Sequence, residues 1–320
     1  MRALVTGASG FSGAHLVRAL ERNGHQAVGL VRPSSNLDRL ADCQSELVRG
    51  DITDRQTLEA AMQGADAVFH LAAYVELGLA DEAAMTRTNV TGTQQVLAAA
   101  RATGVPKVVY CSTIGVLGDT GGRIADETFQ RTQAGFSSAY DRTKYRAQQQ
   151  VDAFAADGLP AVSVLPAGIL GPGDPHFGPI VQQFRQGKLR VWAGGDRPTG
   201  IVHVADLAAA MLLAAERGTP GERYILSAGE LTPRQMFELL GKQWGIAPPR
   251  EMPEPLVRLA GNLLDPLGRA LGWQPPLSRE RVHYIYDRCV RVDASKARQQ
   301  LRWQPRSPEA TVQQIAAALD

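Results

Sequence analysis

Cysteine is scarce in this chain. Its three cysteines, Cys43, Cys111 and Cys289, stand far apart and form no C-x-x-C pair. That excludes a disulfide framework and a zinc knuckle and fits a reducing compartment. An excess of one charge is also missing: 34 Lys and Arg against 32 Asp and Glu leave a net +2, with no basic run. The balance removes the electrostatic warrant for nucleic acid or an anionic membrane surface as main partner and leaves a small molecule. Long hydrophobic runs are absent too. The longest apolar helical stretch, residues 204–215, is about twelve residues, carries Asp206 and falls short of the ~20 needed to span a bilayer. Met1 to Gly7 run straight into a glycine turn without the apolar stretch of a signal peptide, so a cytoplasmic protein without a membrane span is expected. The six histidines, His15, His25, His70, His176, His203 and His283, show no metal-ligand spacing, and no metal is expected.

What is present is an ordinary globular composition, 44% hydrophobic and 21% charged over 320 residues, enough for two lobes. Short apolar runs at 3–6, 27–31, 46–48, 67–70, 107–111 and 161–165 predict strands. Helical spacing over Phe11–Arg22, Arg55–Met62, Asp81–Ala102 and Ser138–Ala156 fills the gaps, with Gly24, Gly64, Gly104 and Gly158 as stop signals. Repeated βαβ units with strands apolar on both faces imply a doubly wound α/β fold, a parallel sheet between helical layers. After Leu165 the chain turns Pro/Gly-rich, as at Gly171-Pro172-Gly173-Asp174-Pro175, and a smaller, mostly helical lobe is expected. Strands at Ile201–Val204 and Arg223–Ser227 and a helix at Ala205–Glu216 are expected to return to the main sheet. The division is therefore 1–170 with 201–227 for one lobe and 171–200 with 228–320 for the other.

The first strand leads into Gly7-Ala8-Ser9-Gly10-Phe11-Ser12-Gly13 and then a helix, the setting in which a glycine motif has meaning. Gly7 permits the turn, Gly10 lets the amides of Ser9 to Phe11 approach a pyrophosphate, and Gly13 lets helix and strand pack closely. A dinucleotide should bind here, making the larger lobe a Rossmann-type domain. The second strand ends in Val31-Arg32-Pro33-Ser34-Ser35, where an acidic residue would select NAD. The Arg32 guanidinium matches a 2′-phosphate and the Ser34 and Ser35 hydroxyls can add hydrogen bonds, so NADP is expected over NAD. Asp51 and Ile52 are placed for the adenine edge, and Leu71, Ala72 and Ala73 offer a small, apolar floor.

Tyr140-Asp141-Arg142-Thr143-Lys144 opens the predicted helix 138–156, and the spacing of four puts Tyr140 and Lys144 on one face. Acid–base work by a phenol near neutrality needs a stabilised phenolate, which a neighbouring ammonium and a nicotinamide cation provide. The fifth strand ends Tyr110-Cys111-Ser112-Thr113, placing the Ser112 and Thr113 hydroxyls at the carboxyl edge of the sheet, where doubly wound folds bind ligands.

With these motifs in order, the chain resembles the extended short-chain dehydrogenase/reductase superfamily over essentially its whole length. Asn89-Val90-Thr91-Gly92-Thr93, Gly171-Pro172-Gly173-Asp174 and His203-Val204-Ala205-Asp206 look like recurrent segments of that superfamily. Val31 to Leu37 looks like its dihydroflavonol-reductase-like branch, with the hopanoid-associated sugar-epimerase relatives. The resemblance implies that Tyr140 is the proton donor or acceptor and that Lys144 lowers its pKa and holds the nicotinamide ribose. It further implies that Thr113 binds the carbonyl oxygen with Ser112 behind it, and that Pro166 lies near the nicotinamide. Similar proteins dimerise through a four-helix interface, here 81–102 with 138–156.

Departures choose among branches. Similar nucleotide-sugar epimerases carry an asparagine where this chain has Leu165, dehydratases an Asp-Glu pair where it has Ile114-Gly115, and plant dihydroflavonol reductases an asparagine near Leu117-Gly118. The expected activity is NADP(H)-dependent hydride transfer to or from a carbonyl or secondary alcohol of a small metabolite. A nucleotide-sugar epimerase that retains its NAD(P) and a non-catalytic NADP-sensing protein are the alternatives. Asp126 and Glu127 either border the substrate cleft or form an exposed turn. Tyr74, Phe177, Trp192, Tyr284 and Tyr286 either line the pocket or pack in cores, and the leucine-rich run 251–273 is a lid or a packed helix pair.

Overall fold

The computed structural model describes residues 1–319. Among these, strands β1 (Arg2–Thr6), β2 (Gln26–Val31), β3 (Glu46–Arg49), β4 (Ala67–His70) and β5 (Val108–Cys111) join Ala161–Pro166 and Arg223–Leu226 in one parallel sheet. Its order is Arg223–Leu226, Ala161–Pro166, β5, β4, β1, β2, β3. The strand order reverses between β1 and β4, which opens a crevice at their carboxyl ends.

The period-2 pattern explains how the sheet is covered. Leu4, Val28, Val68 and Val108 face one layer with Leu58 of helix α2 (Arg55–Met62) and Val96 and Leu97 of helix Thr93–Thr103. The alternate residues Val5, Phe69, Val109 and Val164 face the other, with Leu16 and Leu20 of helix α1 (Phe11–Arg22) and Met211 of helix Val204–Arg217. Each such leucine, fully buried, contributes about 1.5–3 kcal/mol relative to exposure.

Two sequence expectations need correction. Residues 81–102 do not form one helix: a short helix Glu82–Thr86 passes through a π-helical turn, Arg87–Gly92, into helix Thr93–Thr103. The strand at Thr199–His203 does not enter the main sheet either. The edge position beside Ala161–Pro166 is taken by Arg223–Leu226, and Thr199–His203 instead pairs with Gly168–Leu170 and Gly229–Leu231.

The C-terminal part packs Phe184, Phe237, Leu240, Val312 and Ile315 into a separate small core. Its last segments return to the large lobe. Val290, Ala294, Ala297, Leu301 and Trp303 pack in the same cluster as Val164 and Met211, and the Trp303 indole N–H donates to the Asp206 carbonyl at 2.9 Å. Of the described residues, no helix is long and apolar enough to cross a membrane, and no cluster of three or more His, Cys, Asp or Glu is placed to hold a metal.

Candidate active site

Gly7 follows β1 at φ +72°, and a Cβ there would lie 2.8 Å from the Ala72 backbone nitrogen. At Gly13 a Cβ would stand 2.0 Å from the Gly7 carbonyl oxygen, so α1 can press onto the loop only without side chains here. Gly10 caps α1 with no side-chain hydrogen bond, which leaves the first-turn amides for an anion. Beside this loop lies a cavity of about 670 Å³. Gly7, Ser9 and Gly10 form one wall, Arg32, Ser35, Asp51 and Ile52 another, and Leu71, Ala72 and Ala73 a third. Phe11 and Gly13 are off its wall: Gly13 packs on the loop, and the Phe11 ring meets His15 edge-on at 5.5 Å.

Arg32 is exposed at the cavity edge, in a turn closed by its own N–H donating to Ser35 Oγ at 3.0 Å. Ser35 therefore shapes the turn with its oxygen and keeps its hydroxyl proton to donate. Asp51 Oδ1 accepts from the N–H and the hydroxyl of Thr53, a helix-entry turn that fixes its carboxylate. Tyr74 lines the cavity as the sequence allowed. Val75, Asp81, Ala84, Arg87 and Thr88 also line it and were not anticipated; they are delivered by the π-helical turn and the segment before it.

The hydroxyl side chains lie where β5 ends. Ser112 is buried and its Oγ has no hydrogen-bond partner. Thr113 Oγ1 accepts the Gly115 N–H at 3.1 Å, and its own proton is left to donate. Ser138 caps helix Ala139–Ala156 by accepting the Asp141 N–H, and the helix carries Tyr140 and Lys144 towards Cys111. Lys144 Nζ donates to the Cys111 carbonyl at 2.8 Å and lies 4.4 Å from the Tyr110 ring centroid. Burial pulls its pKa down to about 8. The Tyr140 phenol is pushed above its ordinary range by burial, then by Tyr284, Asp141 and Cys111, while Arg288 opposes. Pro166 is buried at the end of its strand and does not reach the cavity wall.

Residues 3–227 match the model of the NAD dependent epimerase/dehydratase family. The chain belongs to this family. It is 36% identical to the 4-hydroxy-2-methyl-3-oxo-4-farnesyl-3,4-dihydroquinoline-1-oxide ketoreductase of Stigmatella aurantiaca, over 94% of this chain and 91% of that protein. It is 32% identical to the sterol demethylase protein B of Methylococcus capsulatus, over 97% and 95% of the two chains. The solved structure of gox2253 superimposes with a TM-score of 0.86 at 32% identity, covering 99% of this chain and 97% of that one. This epimerase/dehydratase family member is an NAD(P)-dependent enzyme of the extended short-chain dehydrogenase/reductase type.

The residues present fit the family's dinucleotide. The glycine cradle that a Cβ would fill, the uncapped start of α1 and the orphaned Ser112 hydroxyl each offer what such a ligand or its substrate needs. A hydrogen-bond chain joins this cavity to the helix that carries Tyr140 and Lys144. The Ala72 N–H donates to Thr6 Oγ1, which meets His70 Nδ1 at 2.7 Å, and His70 Nε2 meets Thr93 Oγ1 at 2.9 Å. The Thr93 hydroxyl donates to the Asn89 carbonyl. The Asn89 amide brackets the Tyr74 backbone and donates to Thr143 Oγ1, whose hydroxyl donates to the Tyr140 carbonyl. Asn89 stands in the π-helical turn and is spent on this bracket, which accounts for the broken helix.

Of the remaining candidates, Tyr284 stands among the groups that face Tyr140, and the others fall outside the site. Phe177 and Trp192 pack around Phe237, the Tyr286 hydroxyl accepts the Gly194 N–H, and Asp126 caps an exposed turn at Thr128. Glu127 accepts the Ile225 N–H.

Proposed function

We propose that this chain is an NADP(H)-dependent oxidoreductase that moves hydride to or from a carbonyl or secondary alcohol of a small, apolar metabolite. The observation that carries the reading is the hydroxyl pair at the end of β5, Ser112 with no partner and Thr113 with its proton free, on the strand whose Cys111 anchors Lys144. A bound nicotinamide supplies or accepts the hydride. Thr113 donates to the substrate oxygen and Tyr140 exchanges a proton with it. Lys144, held by the Cys111 carbonyl, places a positive charge beside the phenolate that forms. The exposed Arg32 at the cavity edge supports NADP over NAD. One of the two relatives is named for a farnesyl-bearing ketone and the other for a sterol, which supports an apolar substrate. Leu165, fully buried in the core, offers no polar atom to a sugar and weighs against the epimerase alternative. In this reading two copies pair through 81–102 and 138–156, and sedimentation as a monomer would count against that part.

The deciding experiment follows NADPH absorbance across a panel of aldehydes, ketones and nucleotide-sugars, with products identified by mass spectrometry. Stoichiometric NADPH loss with an apolar carbonyl is expected. The Tyr140→Phe variant should lose about 10²–10⁴ in turnover while still binding NADPH. Unchanged turnover in that variant would sink the acid–base assignment, and an isomerised nucleotide-sugar without net cofactor loss would overturn the reductase reading.

A further inference from the structure

The residue after Tyr140 is itself a buried carboxylate. The Asp141 side chain is 4% exposed, and its charged partner is Arg288, 9% exposed, with Arg288 Nε 3.5 Å from Asp141 Oδ2. Arg288 arrives from the far end of the chain, just past helix Arg279–Tyr286, with its guanidinium carbon 4.2 Å from the centroid of the Tyr284 ring. The segment that carries it is pinned. The Cys289 N–H donates to Asp119 Oδ1, and the N–H and hydroxyl of Thr120 both donate to the Cys289 carbonyl at 3.0 Å. Gly115, two residues past Thr113, makes room for the pair: a Cβ there would lie 2.5 Å from Asp141 Oδ1 and 3.0 Å from a terminal nitrogen of Arg288.

The couple is not a hydrogen-bonded fork. Asp141 Oδ1 and Arg288 Nε are both buried without a hydrogen-bond partner, so the attraction acts through a medium of low dielectric. Such a field also reaches the neighbouring phenol. Tyr140 is faced by Asp141 from its own helix, by Cys111 and Tyr110 from β5, and by Tyr284 and Arg288 from the C-terminal lobe. Asp141 is faced in turn by Arg288, Arg131 and the Ser138 hydroxyl, and Tyr284 by Arg288, Asp141 and Glu280. Lys144 lies one turn on, against the Cys111 carbonyl.

We propose that Arg288 is a positioning residue for proton transfer: through Asp141 it fixes the first turn that carries Tyr140, and it holds a compensating positive charge beside the phenol. The inference rests on the reading of Tyr140 as the acid–base group. It makes the C-terminal lobe a contributor to the chemistry. Removing Arg288 leaves the Asp141 charge uncompensated next to the phenol, which disfavours phenolate. Removing the Asp141 charge leaves Arg288 alone, which favours it.

The test is a tyrosinate titration by near-ultraviolet difference absorbance with NADP⁺ bound, wild type minus Tyr140→Phe, which isolates this phenol without any substrate. Arg288→Met is expected to raise the midpoint by roughly one to three pH units, and Asp141→Asn to lower it by a comparable amount. A purely structural role would not produce shifts of opposite sign. Midpoints that stay put in both variants, or move the same way in both, overturn the proposal. If Arg288→Met does not fold, Asp141→Asn carries the test alone, and an unshifted or raised midpoint there overturns it. A wild-type phenol that stays neutral up to the alkaline limit of the fold must titrate within range in Asp141→Asn, and its failure to do so also overturns the proposal. The two readings fail separately. Full turnover in Tyr140→Phe removes the acid–base reading, whereas unmoved midpoints alongside an inactive Tyr140→Phe remove only the role of Arg288.

Discussion

His70 closes β4 with its ring buried between the Thr6 and Thr93 hydroxyls, and burial, with the nearby Lys144 charge, holds its pKa at about 3. In the unfolded chain the ring titrates at about 6.5. Between these values the unfolded state binds a proton that the folded state refuses. The stability tied to His70 is therefore complete above about pH 6.5 and is lost as the pH falls from there towards about 3. Over this gap the loss amounts to about 2 kcal/mol at about pH 5 and about 3 kcal/mol at about pH 4. The perturbation is His70→Gln, whose amide can meet the same two hydroxyls without titrating. Urea denaturation at about pH 7.5 and about pH 5, analysed by linear extrapolation, reads the stability at each point. The wild type should lose about 2 kcal/mol more than the variant across that interval. His15 and His203, both also pushed down first by burial, are present in both proteins and cancel in the difference. Equal losses in the two proteins would refute the reasoning and mean that the His70 pocket admits the charged ring.

Three further outcomes are expected. Gly13→Ala forces a methyl to within 2.0 Å of the Gly7 carbonyl, so NADPH fluorescence titration should detect no binding and stability should fall by about 1–3 kcal/mol; normal affinity would contradict the cradle. Arg32→Ala should weaken NADPH by about tenfold or more and leave NADH unchanged, and parallel losses in isothermal titration would remove its phosphate role. Trp303→Ala, which empties a site only 2% exposed and removes the bond to the Asp206 carbonyl, should cost about 3–5 kcal/mol in denaturant unfolding. A cost below about 1 kcal/mol would mean that the C-terminal segment is not part of the large core.

The glycine loop was legible because it is a local pattern set at the end of a strand, where the fold itself points it at the crevice, and the Tyr140–Lys144 spacing was legible as a local pattern in the first turns of a helix. Strands such as 67–70 and helices such as Phe11–Arg22 were legible for a similar reason: their periodicity is short-range and their ends carry glycine or capping signals. The break at Arg87–Gly92 left no such mark. It follows from Asn89 bonding to Tyr74 and Thr143, partners distant in sequence that no window contains. The fate of Thr199–His203 was hidden too, since alternation says that a segment is a strand and not which edge accepts it. Arg87 and Thr88 on the cavity wall, and Arg288 against Asp141, depend on the same long-range placement.

The return of Val290, Ala294, Ala297, Leu301 and Trp303 to the large core has a consequence for synthesis. A ribosome releases all seven strands of the main sheet once Leu226 is out, yet the apolar face around Val164 and Met211 then still waits for a cover about 77 residues downstream. At about 5–20 residues per second that wait is about 4–15 s, long on the scale of collapse and aggregation. Nascent chains of this length present an open hydrophobic face of the kind that holding chaperones bind. Stalled chains ending between Leu226 and Trp303 should accordingly remain protease-sensitive across the dinucleotide lobe, and become resistant in one step when the tryptophan emerges.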